Sequence, residues 1–397
     1  MEHAQHSSRR QFLKLSGLAG AVSILPGCSK VANTEVKPVG QAKNVIYLMV
    51  DGLCNGTVGL AHHWQLRHKA TPLNWMQLFE HEGLHRAYQD TASANSPVTD
   101  SAAAASAWGS GQRVNNGSIN VDPSGKSLKP ILSYVKEAGK ATGLVTSCRI
   151  THATPAGFST SVPKRGMEDA IAQQYLEREI DVLLGGGARH FLQTQEDGSV
   201  IDYIPQFEAK GYQIVKTASD LSAVRRGGSL LGLFSQCHIP YAIDRQNDRA
   251  YKDVPNLVDM FRAALNQLEG MKDGFVLQVE GGRVDHAGHG NDAGGILHEF
   301  LEFDACIPIA LEFIESHPDT MLVVTTDHGT GGCQLDGAGS AYLDSGPALD
   351  RINQLRHSFE WLQQGFEATG KFDPVLLKTA LGIDPTAVSY THLRAHE

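Results

Sequence analysis

The sequence predicts an α/β fold of the doubly wound class, with a mostly parallel central sheet flanked by helices on both faces. Three observations lead there. Short, continuously apolar runs recur along the chain, as expected of strands covered on both sides. Helix-like stretches separate them, which gives the alternation of a parallel sheet. Acidic and histidine residues repeatedly follow the apolar runs, where open α/β sheets place their ligand crevice.

Taken in order, the chain opens on a targeting segment over residues 1–28. Ser8-Arg9-Arg10-Gln11-Phe12-Leu13-Lys14 reads as a twin-arginine export signal, followed by the apolar run Leu15 to Leu25. That run is too short for a spanning helix of ~20 residues. Leu25-Pro26-Gly27-Cys28 resembles a lipobox, with Pro in an atypical position, so lipidation at Cys28 is expected, with a soluble periplasmic product as the alternative. Residues 29–42 read as a polar tether, and 43–387 as the folded domain. Predicted strands are Asn44 to Val50, Ala141 to Thr146, Asp181 to Leu184, Gly274 to Val279 and Met321 to Thr326. Predicted helices are Lys129 to Ala138, Glu168 to Arg178 and Leu257 to Glu269. After Gly332 the rhythm is lost across a Gly-, Ala-, Ser- and Asp-rich stretch, Asp336 to Asp350, and helix is expected again over Phe359 to Leu381. Residues 388–397, VSYTHLRAHE, resemble a translated sequencing adapter. The expectation is a non-native tail and a native chain cut off near Ala387, the alternative being a natural polar tail.

Composition narrows the function. With 41% hydrophobic and 19% charged residues the chain is globular. A net charge of -9 argues against a dedicated nucleic-acid or anionic-membrane surface. The six cysteines form no CxxC pair, which speaks against a zinc ribbon or a thioredoxin motif and defines no disulfide framework.

Asp51 directly follows the first strand, Glu280 the fourth, and Asp327-His328 the fifth, while His152 and Thr154 lie a few residues beyond the second. One carboxylate in such a place is an ordinary helix cap; several in step are a site. Asp285 and His289 are four apart, so a helix there would turn both toward one ion, and carboxylate with imidazole suits zinc or a similar borderline cation. His286, one step on, would face elsewhere and is expected to support the site. The second cluster is Val98-Thr99-Asp100-Ser101 followed by Ala102 to Ala105 and Ser106. Ser101 at the start of a small-residue helix would set its hydroxyl where N–H groups and the helix dipole favour phosphate. Serine needs activation. Without a Gly-x-Ser-x-Gly elbow, metal activation is the alternative; an N-cap serine on an alanine-rich helix is the bland reading.

The stretches DSAAAAS, VEGGRVDHAGHGND, TTDHGTGG and NVIYLMVDG, with THATPAGFS and IDVLLGGGARHF, together resemble the alkaline phosphatase family. They occur in family order and cover roughly Asn44 to Gly332. Ser106 departs from the usual Thr but keeps the hydroxyl. The resemblance implies hydrolysis of phosphate monoesters through a phosphoserine at Ser101. It implies one zinc on Asp51, Asp327 and His328, and a second on Asp285 and His289. A third site, usually magnesium, would use Asp51, Thr154 and Glu280, with His152 standing where some relatives have Asp and leaving that ion's identity open. Arg165 matches the arginine that forks onto two phosphate oxygens. Family members are often dimers, so a homodimer is a possible partner state.

The family places one more histidine on the second zinc, downstream of His328. His357 reads as a residue of an amphipathic helix, and His392 and His396 fall in the suspect tail. A missing C-terminal segment is therefore expected, with impaired activity of the chain as written. The alternatives are a phosphodiesterase- or sulfatase-like hydrolase of the same superfamily, or an impaired metal- or phosphate-binding lipoprotein.

Overall fold

The computed structural model describes residues 42–194, 197–336 and 342–382. Its centre is a seven-stranded sheet built from β1 (Asn44–Val50), β2 (Ala141–Arg149), β3 (Val182–Gly186), β6 (Gln213–Val215), β7 (Leu230–Leu233), β8 (Phe275–Gly281) and β9 (Thr320–Thr326). The order is β6-β7-β3-β2-β8-β1-β9 and every pairing in it is parallel. A separate antiparallel pair joins β4 (Leu192–Thr194) to β5 (Val200–Asp202). The five predicted strands are all present, within a few residues at their ends. The short β6 (Gln-Ile-Val) and β7 (Leu-Leu-Gly-Leu, an apolar run interrupted by Gly232) were not anticipated.

Alternation explains why the sheet is buried on both faces. Ile46, Leu48 and Val50 of β1 join one apolar cluster with Val145, Leu277 and Val279, while Met49 joins the other with Leu144, Leu183, Leu231 and Val276. Each face is then covered by helices. Residues 257–268 form one of these, capped by Asn256, whose side chain accepts from Asp259 N at 2.7 Å. Met260, Phe261, Ala264, Leu265 and Leu268 pack inward from it, each large side chain contributing ~1.5–3 kcal/mol of burial. The predicted helices at 129–138 and 168–178 appear as Ile131–Glu137 and Glu168–Glu177. The predicted 359–381 helix is two, Phe359–Thr369 and Pro374–Leu381, because Gly370 takes a left-handed cap and Pro374 restarts the chain at a first-turn position.

Register sets the strand ends level. Met49 is opposite Glu280, Glu280 is opposite Thr146, and Val50 is opposite Thr326. Residues just past these positions therefore emerge at one edge. No helix among the described residues is long and apolar enough to cross a membrane. The export signal, the lipobox cysteine Cys28, most of the tether and the suspect tail lie outside the described residues.

Candidate active site

Ser101 opens the helix Ser101–Ser110, but the cap is Asp100, whose Oδ1 accepts from Ala103 N at 3.0 Å. The serine side chain is thus released from capping. Its Oγ lies 3.4 Å from Asp51 Oδ1 and 3.4 Å from His328 Nε2. The small residues behind it allow very close helix packing. A Cβ built on Gly109 would fall 1.8 Å from Gly157 O of the neighbouring helix, Ala153–Ser159. That second helix carries Thr154, with His152 at its N-cap.

Asp51, Asp327 and His328 each offer a ligand atom within 4.8 Å of the others, and so do Asp51, His152 and Glu280. Asp51 is shared. His328 Nε2 is 3.3 Å from Asp51 Oδ1 and 3.6 Å from Asp327 Oδ2. Backbone donors fix only one oxygen of Asp327: Gly52 N at 3.1 Å and His328 N at 2.8 Å both reach Oδ1. Its Oδ2 has no hydrogen-bond partner, and neither do Asp51 Oδ2, Glu280 Oε1, Thr154 Oγ1 and His152 Nδ1, all buried. Buried polar atoms are ordinarily paired, and this concentration of orphaned acceptors fits divalent cations.

Electrostatics point the same way. Burial, and then the charges of Asp327, Asp285 and Glu280, hold the Asp51 carboxyl well above the usual range, opposed by Arg165. Burial also raises Asp327 and pushes Glu280 up to about 7. Crowded, desolvated carboxylates are costly unless cations balance them.

Asp285 and His289 lie on the helix Arg283–His289, as the spacing required, with His289 Nε2 3.5 Å from Asp285 Oδ1. Gly52 brings this pair beside Asp51. It has φ +70°, and a Cβ there would sit 2.6 Å from Asp285 Oδ1 and 2.4 Å from Thr330 Oγ1. Among the described residues no third His, Cys, Asp or Glu completes a group with Asp285 and His289. His357 is elsewhere: it is buried against Asp244 Oδ1 at 3.2 Å and stacked on Trp361. It precedes the Phe359–Thr369 helix, whose cap is Ser358, and so is not the helix residue expected. His392 and His396 lie outside the described residues.

Arg165 reaches the serine helix from the loop after Thr160. Its Nη1 donates to Asp100 Oδ2 at 3.1 Å and its Nη2 lies 3.0 Å from His152 Nε2. Of the two, Asp100 sets the direction, since Gly117 N also holds its Oδ2 at 3.0 Å. The site therefore assembles oxygen and imidazole ligands for cations, a released hydroxyl and a guanidinium at one sheet edge.

A family model described as alkaline phosphatase matches residues 42–378. The chain belongs to the alkaline phosphatase family. Alkaline phosphatase 3 of Bacillus subtilis is 36% identical over 328 residues, spanning 80% of this chain and 68% of that relative. The crystal structure of Thermus thermophilus alkaline phosphatase superposes with a TM-score of 0.83 at 37% identity, covering 89% of this chain and 74% of that one. A His-to-Asp variant of the alkaline phosphatase from the Antarctic bacterium TAB5 matches with a TM-score of 0.63 at 26% identity, covering 75% and 81%, and is described as holding Mg in its M3 site. Membership makes the chain a metal-dependent phosphomonoesterase by family.

Within this alkaline phosphatase framework, sequence reasoning missed the roles of two residues inside motifs it had singled out. Asp100 looked like part of the serine motif and proves to be both helix cap and Arg165 anchor. Thr330 donates to Asp285 Oδ1 and sits 3.4 Å from His328 Nδ1, joining the two ligand pairs. Spacing from His328 was the only signal for it.

Proposed function

We propose that this chain hydrolyses phosphate monoesters by transferring the phosphoryl group to Ser101. The observation that carries the reading is Ser101 Oγ lying 3.4 Å from both Asp51 and His328, at a helix N-terminus and beside unpartnered carboxylate oxygens. Asp51, Asp327 and His328 would hold one zinc, Asp285 and His289 part of a second. Asp51, Glu280, Thr154 and His152 would hold a third ion, magnesium in the usual family arrangement. Ions bound in these places lower the pKa of the serine hydroxyl and of water and balance the charge of the phosphate.

The remaining work belongs to the chain. First-turn N–H groups of the Ser101–Ser110 helix favour the dianionic phosphate. Arg165 is turned inward by Asp100 and presents paired donors to two phosphate oxygens. Ser101 Oγ bonds to phosphorus as the ester P–O bond breaks; the serine proton leaves and the alcohol takes one up. Water then attacks the phosphoserine, the Ser101 O–P bond breaks, and serine and inorganic phosphate are released. Export by the twin-arginine route, periplasmic location, lipid anchoring at Cys28 and homodimer formation remain proposals carried by residues 8–28 and by the family resemblance.

The test is acid quenching during turnover of p-nitrophenyl phosphate, followed by detection of phosphoserine at Ser101. Ser101→Ala should abolish trapping and nearly all turnover. Labelling of a different residue, or a variant that turns over normally, would defeat the mechanism.

A further inference from the structure

A third group of ligand atoms shares no residue with the sites just described, and borders one of them, since the His152 ring lies 5.6 and 5.4 Å from the rings of His238 and His286. Cys148 near the end of β2, His238 in the loop after β7, and His286 on the Arg283–His289 helix each place one donor atom within 4.8 Å of the others. The ion sites proposed above are built from carboxylate, hydroxyl and imidazole. This group adds a sulfur, which changes the ions it favours. We infer that Cys148, His238 and His286 form a further cation site selective for a borderline or soft divalent ion of the zinc class.

Ser147, the neighbour of Cys148, ties the other two segments to β2. Ser147 O accepts from Ile239 N at 3.1 Å, fixing the loop that carries His238. The Ser147 side chain accepts from Gly282 N at 3.0 Å and Arg283 N at 3.2 Å, fixing the start of the helix that carries His286. A second tie, Gly187 N to Cys237 O at 2.7 Å, secures the loop from β3. Cys148 therefore sits between two pinned elements, with its Sγ 4.0 Å from His286 Nδ1. The His238 and His286 rings meet edge to face with centroids 4.5 Å apart. Both histidines are half-buried and Cys148 is fully buried, so an ion can enter past the imidazoles and meet the sulfur last.

Tetrahedral zinc with bonds of ~2.0–2.3 Å sets its ligand atoms ~3.5 Å apart. The present spacing, within 4.8 Å for all three atoms and 4.0 Å for Cys148 Sγ to His286 Nδ1, must close by about 1 Å or less. His238 has reason to turn. The Arg149 backbone N–H points at its Nδ1 from 3.2 Å, and the Arg149 guanidinium lies against its Nε2. A neutral imidazole carries one N–H, so one of these contacts sets donor against donor. Turning the ring exchanges that contact for a ligand bond. Arg149 keeps its bidentate hold on Glu168, at 2.7 Å through both Nε and Nη2, so its charge stays balanced. Burial keeps Cys148 as a thiol; ligation makes the S–metal bond and releases one proton to solvent. Because His286 is adjacent to Asp285, an ion held here also braces the helix that presents Asp285 and His289.

Cobalt reports on this directly. The full chain, stripped of metal and kept reduced, is titrated with Co2+ while the near-ultraviolet thiolate-to-cobalt charge-transfer band is followed. Sites built from oxygen and imidazole do not produce that band. Wild type should develop it to saturation. Cys148→Ser should lose it together with one bound Co2+ per chain, His238→Ala should do the same, and Cys237→Ser, at the exposed neighbouring thiol, should keep it. Thermal unfolding of each variant confirms that it is folded, and the two losing variants act on different elements. No band in wild type, or a band that survives Cys148→Ser, overturns the assignment. Phosphoserine trapping at Ser101 is scored separately, so failure here leaves the phosphatase reading standing.

Discussion

Gly52→Ala tests the geometry at the centre of the site. Gly52 follows Asp51, has φ +70°, and presents its missing Cβ to Thr330 Oγ1 at 2.4 Å and to Asp285 Oδ1 and Cβ at 2.6 and 2.8 Å. Two costs follow. A left-handed alanine is disfavoured by ~1–2 kcal/mol, and the new methyl must push Asp285 and Thr330 away by up to ~1 Å to reach ordinary contact distance. The first cost is a modest fraction of a typical stability of ~5–15 kcal/mol, so the variant should fold with a slightly lower Tm. The second falls on Asp285, a candidate ligand, and on Thr330, which bridges to His328. Misplacement of ~1 Å at a reacting centre can cost ~100-fold in rate. The expected outcome is kcat/KM for p-nitrophenyl phosphate lower by about two orders of magnitude, with zinc retained less tightly. Circular dichroism, zinc stoichiometry and steady-state kinetics on one preparation separate the two effects. Wild-type turnover and zinc content in a folded Gly52→Ala protein would refute the placement of Asp285 against Asp51.

Asp100→Ala should act in two ways, costing ~1 kcal/mol through the lost helix cap and raising KM by freeing Arg165, which thermal melts and kinetics read independently; an unchanged KM would remove Asp100 as the arginine's anchor. Gly109→Ala forces a methyl onto Gly157 O, so it should destabilise by ~1–3 kcal/mol or more and be read as a lower Tm with weakened activity. The pH dependence of the chelated protein follows from carboxyls raised by burial: Glu280 and Glu299 to about 7 and Asp292 to about 6. Because their folded values exceed the unfolded ones, the native state binds more protons than the unfolded state, and stability falls as pH rises from ~4 toward 7. Divalent ions favour the ionised form of Glu280, so the Tm gap between metal-loaded and chelated protein should widen from pH 5 to 8; a gap that narrows would contradict the assignment of Glu280 as a ligand.

Much of the candidate site was legible because strand ends and candidate ligand residues coincide along the chain. Asp51, Glu280 and Asp327 each follow an apolar run, and a parallel sheet brings such positions to one edge by construction. Asp285 and His289 were legible through helical spacing alone. Arg165 was different: only the family motif distinguished it, since a lone arginine in a loop carries no periodic signal. His238 was invisible for the same reason, sitting in the irregular segment between β7 and the Ala242–Asn247 helix.

By itself the sequence determined the fold class, the carboxylates at the strand ends and the serine at a helix start, because these rest on local patterning whose period the backbone dictates. The tertiary structure alone decided which oxygen of each carboxylate is left without a donor, that Asp100 releases Ser101 from capping and aims Arg165, and that Cys148, His238 and His286 meet. Those outcomes depend on pairings between residues tens to hundreds of positions apart. Only the packed chain sets those distances.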